Sequence, residues 1–270
     1  MKLSALAAIA CVFPFILETN VQGHGAHDEL VGECLEKLEK SPNDPTIRHQ
    51  LAMAYVHHGD WELALIELDK LDDSATDIRL TRAQALMLGG RHEQARVLLD
   101  AILEKSPENS QALLERARVF ASLKEPAESL ADYRLAMNLT ASPDPEFCLE
   151  MAEILTSENQ INEALTVIQK GLTAGGEVPT LLQRAMEMEI SAGNYDAALA
   201  HMAVLERQAP RPEAWMARRA ELLAKAGRTD AARAAWTSLK QHIAALPNLQ
   251  RGTPELLALT AKADAALTTH

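Results

Sequence analysis

Aromatic side chains make up only 4% of the 270 residues. β-Branched residues are also sparse beside Ala, Leu, Glu and Arg. Strands draw on aromatic and β-branched residues, so this balance argues against a sandwich or barrel and favours helices. No apolar run reaches the roughly 20 residues needed to span a bilayer. The longest, Leu3 to Leu17, is broken by Ser4 and Pro14. Cysteine is scarce, with three residues, Cys11, Cys34 and Cys148. No disulfide framework can rest on so few. Positive charge is in deficit, and the net charge of −12 repels phosphate backbones and anionic lipid. Nucleic acid and membrane surfaces are therefore not the expected partners.

Catalytic signatures are missing as well. The chain has no G-x-S-x-G, no C-x-x-C and no phosphate-binding glycine loop. His92-Glu93 lacks the second His that a metalloprotease helix carries, because Arg96 stands there. Gly89-Gly90 reads as an inter-helix turn. With no nucleophile–base pairing visible, the expectation is a protein that is not an enzyme and needs no cofactor.

The N-terminus reads as a targeting segment. Met1-Lys2 supplies a short positive start, Leu3 to Leu17 the apolar region, and Val21-Gln22-Gly23 a small-residue cleavage site. Cleavage there makes residues 1–23 a signal peptide and His24 the mature N-terminus, and it leaves the net charge at −12. An exported chain, periplasmic or secreted, is expected. It would not be an integral membrane protein after cleavage. Two alternatives stand beside this: retention of the segment as an anchor, and the lipoprotein-like Ala8-Ile9-Ala10-Cys11. The latter lacks the expected Leu and is followed by more apolar sequence. Cys34 and Cys148 are expected as separate buried thiols.

An internal repeat dominates the rest. Gly59, Gly90, Lys124, Asn159, Gly193 and Gly227 are spaced by 31, 34, 35, 34 and 34 residues. Five residues after each stands Ala64, Ala95, Ser129, Ala164, Ala198 or Ala232. Seven before each stands Ala52, Ala83, Ala117, Ala152, Met186 or Ala220. Pro107, Pro143 and Pro210 close three of the units. A turn residue at positive φ favours Gly, then Asn. Paired small residues let two antiparallel helices approach closely. Proline stops one helix and starts the next. Lys124 should strain or reshape its turn. Met186 stands where Ala is expected. The first unit is three residues short near Asp72-Asp73-Ser74.

The period near 34, the paired small residues and the aromatics Tyr55, Trp61, Phe120 and Tyr195 resemble the tetratricopeptide repeat family. The resemblance covers about three quarters of the chain. It implies an all-α, right-handed α-solenoid of six helix-turn-helix repeats, approximately 45–75, 76–109, 110–144, 145–178, 179–212 and 213–246. A one-dimensional stack needs caps. Residues 24–44 hold an amphipathic flanking helix with Leu30, Val31, Cys34, Leu35 and Leu38. Residues 247–270 hold a capping helix opened by Thr253-Pro254-Glu255, with Leu256, Leu259, Ala263 and Leu267 on one stripe.

What the resemblance implies for function is a groove lined by first-helix side chains that binds a protein or peptide partner. Carried onto this sequence, the groove presents His49, Met53, Val56, His57, Leu80, Met87, Leu88 and Leu114, then Arg118, Glu150, Glu153, Arg184, Glu187, Arg218 and Glu221. The first set is apolar and Met-rich, suited to an extended or helical peptide. Residues 24–44 folding back over it is the competing expectation. Chaperone-tail-binding members clamp a C-terminal carboxylate with Lys, Asn and Arg. The matching sites here hold His49, Met53, Thr81, Gln111 and Glu115, so that partner class is not expected.

Histidines offer a second reading, periplasmic copper or nickel handling. Export would place His24 at a free N-terminus, with His27 close by, and a terminal amine with its own imidazole can chelate such ions. His49, Met53 and His57 share one helix stripe, and imidazole with thioether suits copper. Against this, His49 and His57 also fit as ordinary groove residues.

Overall fold

A computed structural model describes residues 21–268, with side chains from Glu29 onward. Residues 1–20 of the expected signal peptide 1–23, and the side chains of His24 and His27, lie outside the described residues. Among the described residues every regular element is a helix. The chain divides into two compact units, with the boundary between Pro107 and Glu108.

The first unit contains α1 (Val21–Lys40), then two hairpins, α2 (Pro45–His58) with α3 (Trp61–Leu68) and α4 (Thr76–Leu88) with α5 (His92–Lys105). The second contains four hairpins: α6 (Ser110–Ser122) with α7 (Pro126–Leu139), α8 (Pro145–Ser157) with α9 (Ile161–Gly175), α10 (Pro179–Ala192) with α11 (Tyr195–Gln208), and α12 (Glu213–Lys225) with α13 (Thr229–Ala245). A short α14 (Asn248–Arg251) and the closing α15 (Pro254–Thr268) follow.

Local chemistry starts these helices where it should. Proline occupies the first turn of α2, α7, α8 and α10, where a missing N–H costs nothing. Asp44 accepts from the amides of Thr46 and Ile47, Asn109 from Ala112, and Asp144 from Glu146. Each satisfies donors that the first helical turn leaves unpaired.

All six hairpin turns close in the same way. Gly59, Gly90, Lys124, Asn159, Gly193 and Gly227 have φ of 83°, 70°, 65°, 60°, 79° and 75°. The amide after each reaches back to a helix carbonyl: Asp60 to Tyr55, Arg91 to Leu86, Glu125 to Phe120, Gln160 to Leu155, Asn194 to Glu189 and Arg228 to Leu223, at 2.7–2.9 Å. The turn residue's own amide bonds one residue further along, as in Gly59 to Val56 and Lys124 to Ala121. This is the Schellman termination, and it requires the left-handed residue. Lys124 does not reshape its turn. It adopts the glycine conformation and carries the strain. Gly89 has a different role, because a Cβ there would lie 2.8 Å from the Trp61 ring.

The paired small residues form the hairpin contacts. Ala52, Ala83, Ala117, Ala152, Met186 and Ala220 are all fully buried. So are Ala64, Ala95, Ser129, Ala164 and Ala198, with Ala232 nearly so. Met186 is accommodated in a cluster with Leu182, Ala198, Met202 and Leu205. The short first hairpin is explained by α3, which stops at Leu68. The connection after it is tied down by Arg82, which binds the Leu68 carbonyl and the Asp69 and Asp73 carboxylates.

The ends of the two units are also packed. On α1, Cys34 is buried and Val31 and Leu38 are half-buried, whereas Leu30 and Leu35 stay exposed, so the packed stripe is narrower than the sequence suggests. On α15, Leu256 and Ala263 are buried, with Leu259 and Leu267 packed beside them against Trp236, Leu239 and Ile243. The Thr253 hydroxyl does not cap this helix and has no hydrogen-bond partner. Its carbonyl accepts from Leu257 instead. Cys34 and Cys148 are both free and buried. Burial pushes the Cys148 thiol up to about 11, with Asp144 adding to the effect.

Candidate partner-binding face

In the first unit, α2 and α4 supply the first-helix face. Met53 is 42% exposed and Leu88 51% exposed. His57 is also exposed, and Val56 and Met87 are half-buried. Helix α1 packs on α2, yet Met53 and His57 remain open. Leu80 is withdrawn into the core at 6% exposure, so it does not belong to the displayed strip. His49 is partly buried and engaged. Its Nε2 lies 2.8 Å from Thr81 Oγ1, and the Thr81 hydroxyl itself donates to the Asp77 carbonyl. The His49 Nδ1 lies 3.7 Å from an Asp77 oxygen, so both ring nitrogens face α4. Among the described residues no group of three or more His, Cys, Asp or Glu is arranged to hold a metal.

In the second unit the first-helix face is charged. Leu114 is half-buried on α6. Arg118 Nε contacts both oxygens of Glu150 at 2.9 and 3.1 Å, and its Nη1 lies 3.3 Å from Glu115 Oε1. The Tyr133 hydroxyl donates to Glu150 Oε2 at 2.9 Å. Burial works against the Arg118 charge, but the Glu150 hydrogen bond and the Glu115 and Glu150 charges outweigh it and hold the guanidinium pKa above its usual value. Burial first, and then the Glu150 charge, raise the Tyr133 hydroxyl. Further along, Arg184 and Arg218 both approach Glu187, each at 3.9 Å. Glu221 pairs with Lys262 of α15, and Glu153 is exposed.

Some of this was not legible in the sequence. Tyr133 stacks on Phe147 with centroids 5.4 Å apart, and Arg116 grips Asp132 at 2.7 and 2.9 Å. Neither pair has a local spacing that marks it, because each joins different helices. On the second-helix side of this unit, a cavity of about 710 Å³ is lined by Met137, Leu165, Ile168, Lys170, Glu189 and His201. Burial depresses the His201 pKa, with Glu189 partly offsetting it.

The tetratricopeptide repeat family model matches residues 80–144 and 189–240. These segments are similar to tetratricopeptide repeats. Solved structures share the fold of this chain. It is similar to the C-terminal part of a TPR repeat-containing protein from Cytophaga hutchinsonii, at 14% identity over 88% of this chain and 95% of that one, with a TM-score of 0.61. It is also similar to pilF of Pseudomonas aeruginosa, at 20% identity over 74% of this chain and 92% of that one, with a TM-score of 0.56. A TPR protein of Thermus thermophilus matches at 22% identity over 63% of this chain and 94% of that one, with a TM-score of 0.55. At these identities the likeness is one of fold. No curated protein matches the sequence. Among the described residues, no helix is long and apolar enough to cross a membrane.

Proposed function

We propose that this chain is a non-catalytic TPR scaffold that binds a protein or peptide along its first-helix faces and acts outside the cytoplasm. The observation that carries the binding reading is the exposure of the apolar side chains Met53 on α2 and Leu88 on α4, with His57 exposed and Val56 and Met87 half-buried on the same two helices. Side chains of this kind, flexible and polarizable, suit a partner's apolar anchors. The helices that present them are already fixed by the buried small residues, so little ordering is required at the moment of binding. Leu114, Arg118, Arg184 and Arg218 are the corresponding first-helix residues of the second unit. The extracytoplasmic reading is supported by the leader pattern at residues 1–23.

Affinity capture from native cells with the wild-type chain and with the Met53→Glu, Met87→Glu double variant tests the binding reading. The expected result is a partner retained by the first and lost by the second. Every captured partner surviving the double variant would show the reading to be wrong. N-terminal sequencing of the protein recovered from native cells tests export, with His24 as the expected first residue. Recovery of the intact chain from the cytoplasm alone would reject it.

A further inference from the structure

The first helices of the second unit repeat a two-row arrangement. Counted back from the left-handed turn residue, Glu115, Glu150, Arg184 and Arg218 fall in one row. Arg118, Glu153, Glu187 and Glu221 fall in a second row, one helical turn later. A second-row residue meets the first-row residue of the next hairpin: Arg118 meets Glu150, and Glu187 meets Arg218.

The two meetings differ in kind. Arg118 and Glu150 are closed, because the guanidinium bonds two carboxylates and Glu150 also takes the Tyr133 hydroxyl. Arg184 and Arg218 are open. Arg184 Nη1 and Arg218 Nη2 each stop 3.9 Å from Glu187, beyond hydrogen-bond distance. Arg184 Nε is buried with no acceptor. Glu153, which the same rule would give to Arg184, is exposed and forms no ion pair with it. Arg218 lies over the Trp215 ring, 5.5 Å from its centroid, a contact that orients the guanidinium without using its N–H donors.

A guanidinium carries five donors in a planar fork that matches a carboxylate. Leaving such donors unpaired and partly buried is costly. The two side chains are 28% and 39% exposed, so a ligand can reach them. A cleft of about 430 Å³, lined by Thr156, Asn159, Asn162, Arg184 and Glu187, gives it room beside Arg184. We propose that Arg184 and Arg218 together receive a carboxylate of a partner segment lying along α10 and α12. The two guanidiniums share Glu187, so neither has a carboxylate of its own, in a chain of net charge −12. Diffuse polyanions are repelled by the whole, while one oriented carboxylate is held by the two guanidiniums. This rests on the reading of the first-helix face as the binding surface. It adds what that face recognises.

The test selects random twelve-residue peptides on the purified chain and measures synthetic copies by fluorescence anisotropy. Selected peptides should be acidic. Affinity should fall at least about ten-fold in Arg184→Gln, Arg218→Gln, as expected for lost charge-assisted hydrogen bonds. Arg134→Gln, which breaks a second-helix ion pair with Glu163, should leave affinity unchanged. Each peptide is also made with Glu or Asp replaced by the amide, and with an amidated C-terminus. Loss in the first arm assigns the carboxylate to a side chain, and loss in the second to the terminus. Loss in neither overturns the proposal. Peptides that bind wild type and Arg184→Gln, Arg218→Gln equally also overturn it, and if Met53→Glu, Met87→Glu abolishes their binding, the scaffold reading survives. Peptides indifferent to both double variants, or a library without binders, overturn both readings. Circular dichroism monitors folding. Should the double variant unfold, Arg218→Gln alone carries the test.

Discussion

The Ser129 hydroxyl donates to the Ala117 carbonyl at 2.7 Å across the contact between α7 and α6. Both residues occupy the paired small positions of their hairpin, and both are fully buried. The polar atom is tolerated because its hydrogen bond is made locally and leaves no orphan donor. Ser129→Ala should change stability by less than about 1 kcal/mol, since it removes donor and bond together. Ser129→Val should cost about 1–3 kcal/mol by forcing the helices apart. Urea denaturation of the two variants separates these outcomes.

Lys124 holds φ at 65° in a turn where four of its five counterparts are glycine. The left-handed conformation costs a side-chain-bearing residue about 1–2 kcal/mol, and glycine gives back part of that in unfolded-state entropy. Lys124→Gly should therefore stabilise the protein by about 0.5–1 kcal/mol. Asn159→Gly should gain less, because Asn tolerates this region better. A raised denaturation midpoint with an unchanged m-value is the expected signature.

Gly89 faces the ring of Trp61, and Arg91 stacks over the same ring at 5.3 Å. A methyl group at 89 would meet a rigid aromatic face, so Gly89→Ala should cost about 1–3 kcal/mol despite its ordinary φ. Gly89→Ala combined with Trp61→Leu should cost less than the sum of the two single changes. Simple additivity would remove the steric explanation.

His201 is buried toward its neutral form, so its folded-state pKa lies below the ordinary value of 6.5. The stability it permits is present above that value and is lost as pH falls through the lower folded pKa, because the unfolded chain then binds the extra proton. Glu189 opposes this shift, and Lys170 lines the same cavity. Wild type should therefore lose more stability between pH 7 and pH 5 than His201→Gln. Denaturation midpoints compared at the two pH values decide it, and parallel losses would refute it.

The hairpins were readable in the sequence because one backbone requirement recurs. A Schellman turn needs a left-handed residue, and close helix packing needs small ones, so both requirements leave their mark at fixed spacing. Even the two exceptions, Lys124 and Met186, follow the spacing and adopt the roles of the residues they replace. The face is harder to read. Leu80 has the same character as Leu88, but one is buried and the other exposed, and only the orientation of α4 decides between them. The closed state of Arg118 and the open state of Arg184 differ through partners on neighbouring helices. A string of charged residues does not show which of its members are already satisfied.

Six turns that share one backbone conformation and one hydrogen-bond pattern make each hairpin a portable part. The segment 179–212 carries its own stop signal in Gly193 and its own interlock in Met186 and Ala198. Lengthening such an array by duplication needs no new turn to be invented, only neighbours whose outward side chains match. Within a lineage of such proteins, selection can rewrite the displayed residues of one hairpin at a time while the scaffold beneath them stays constant.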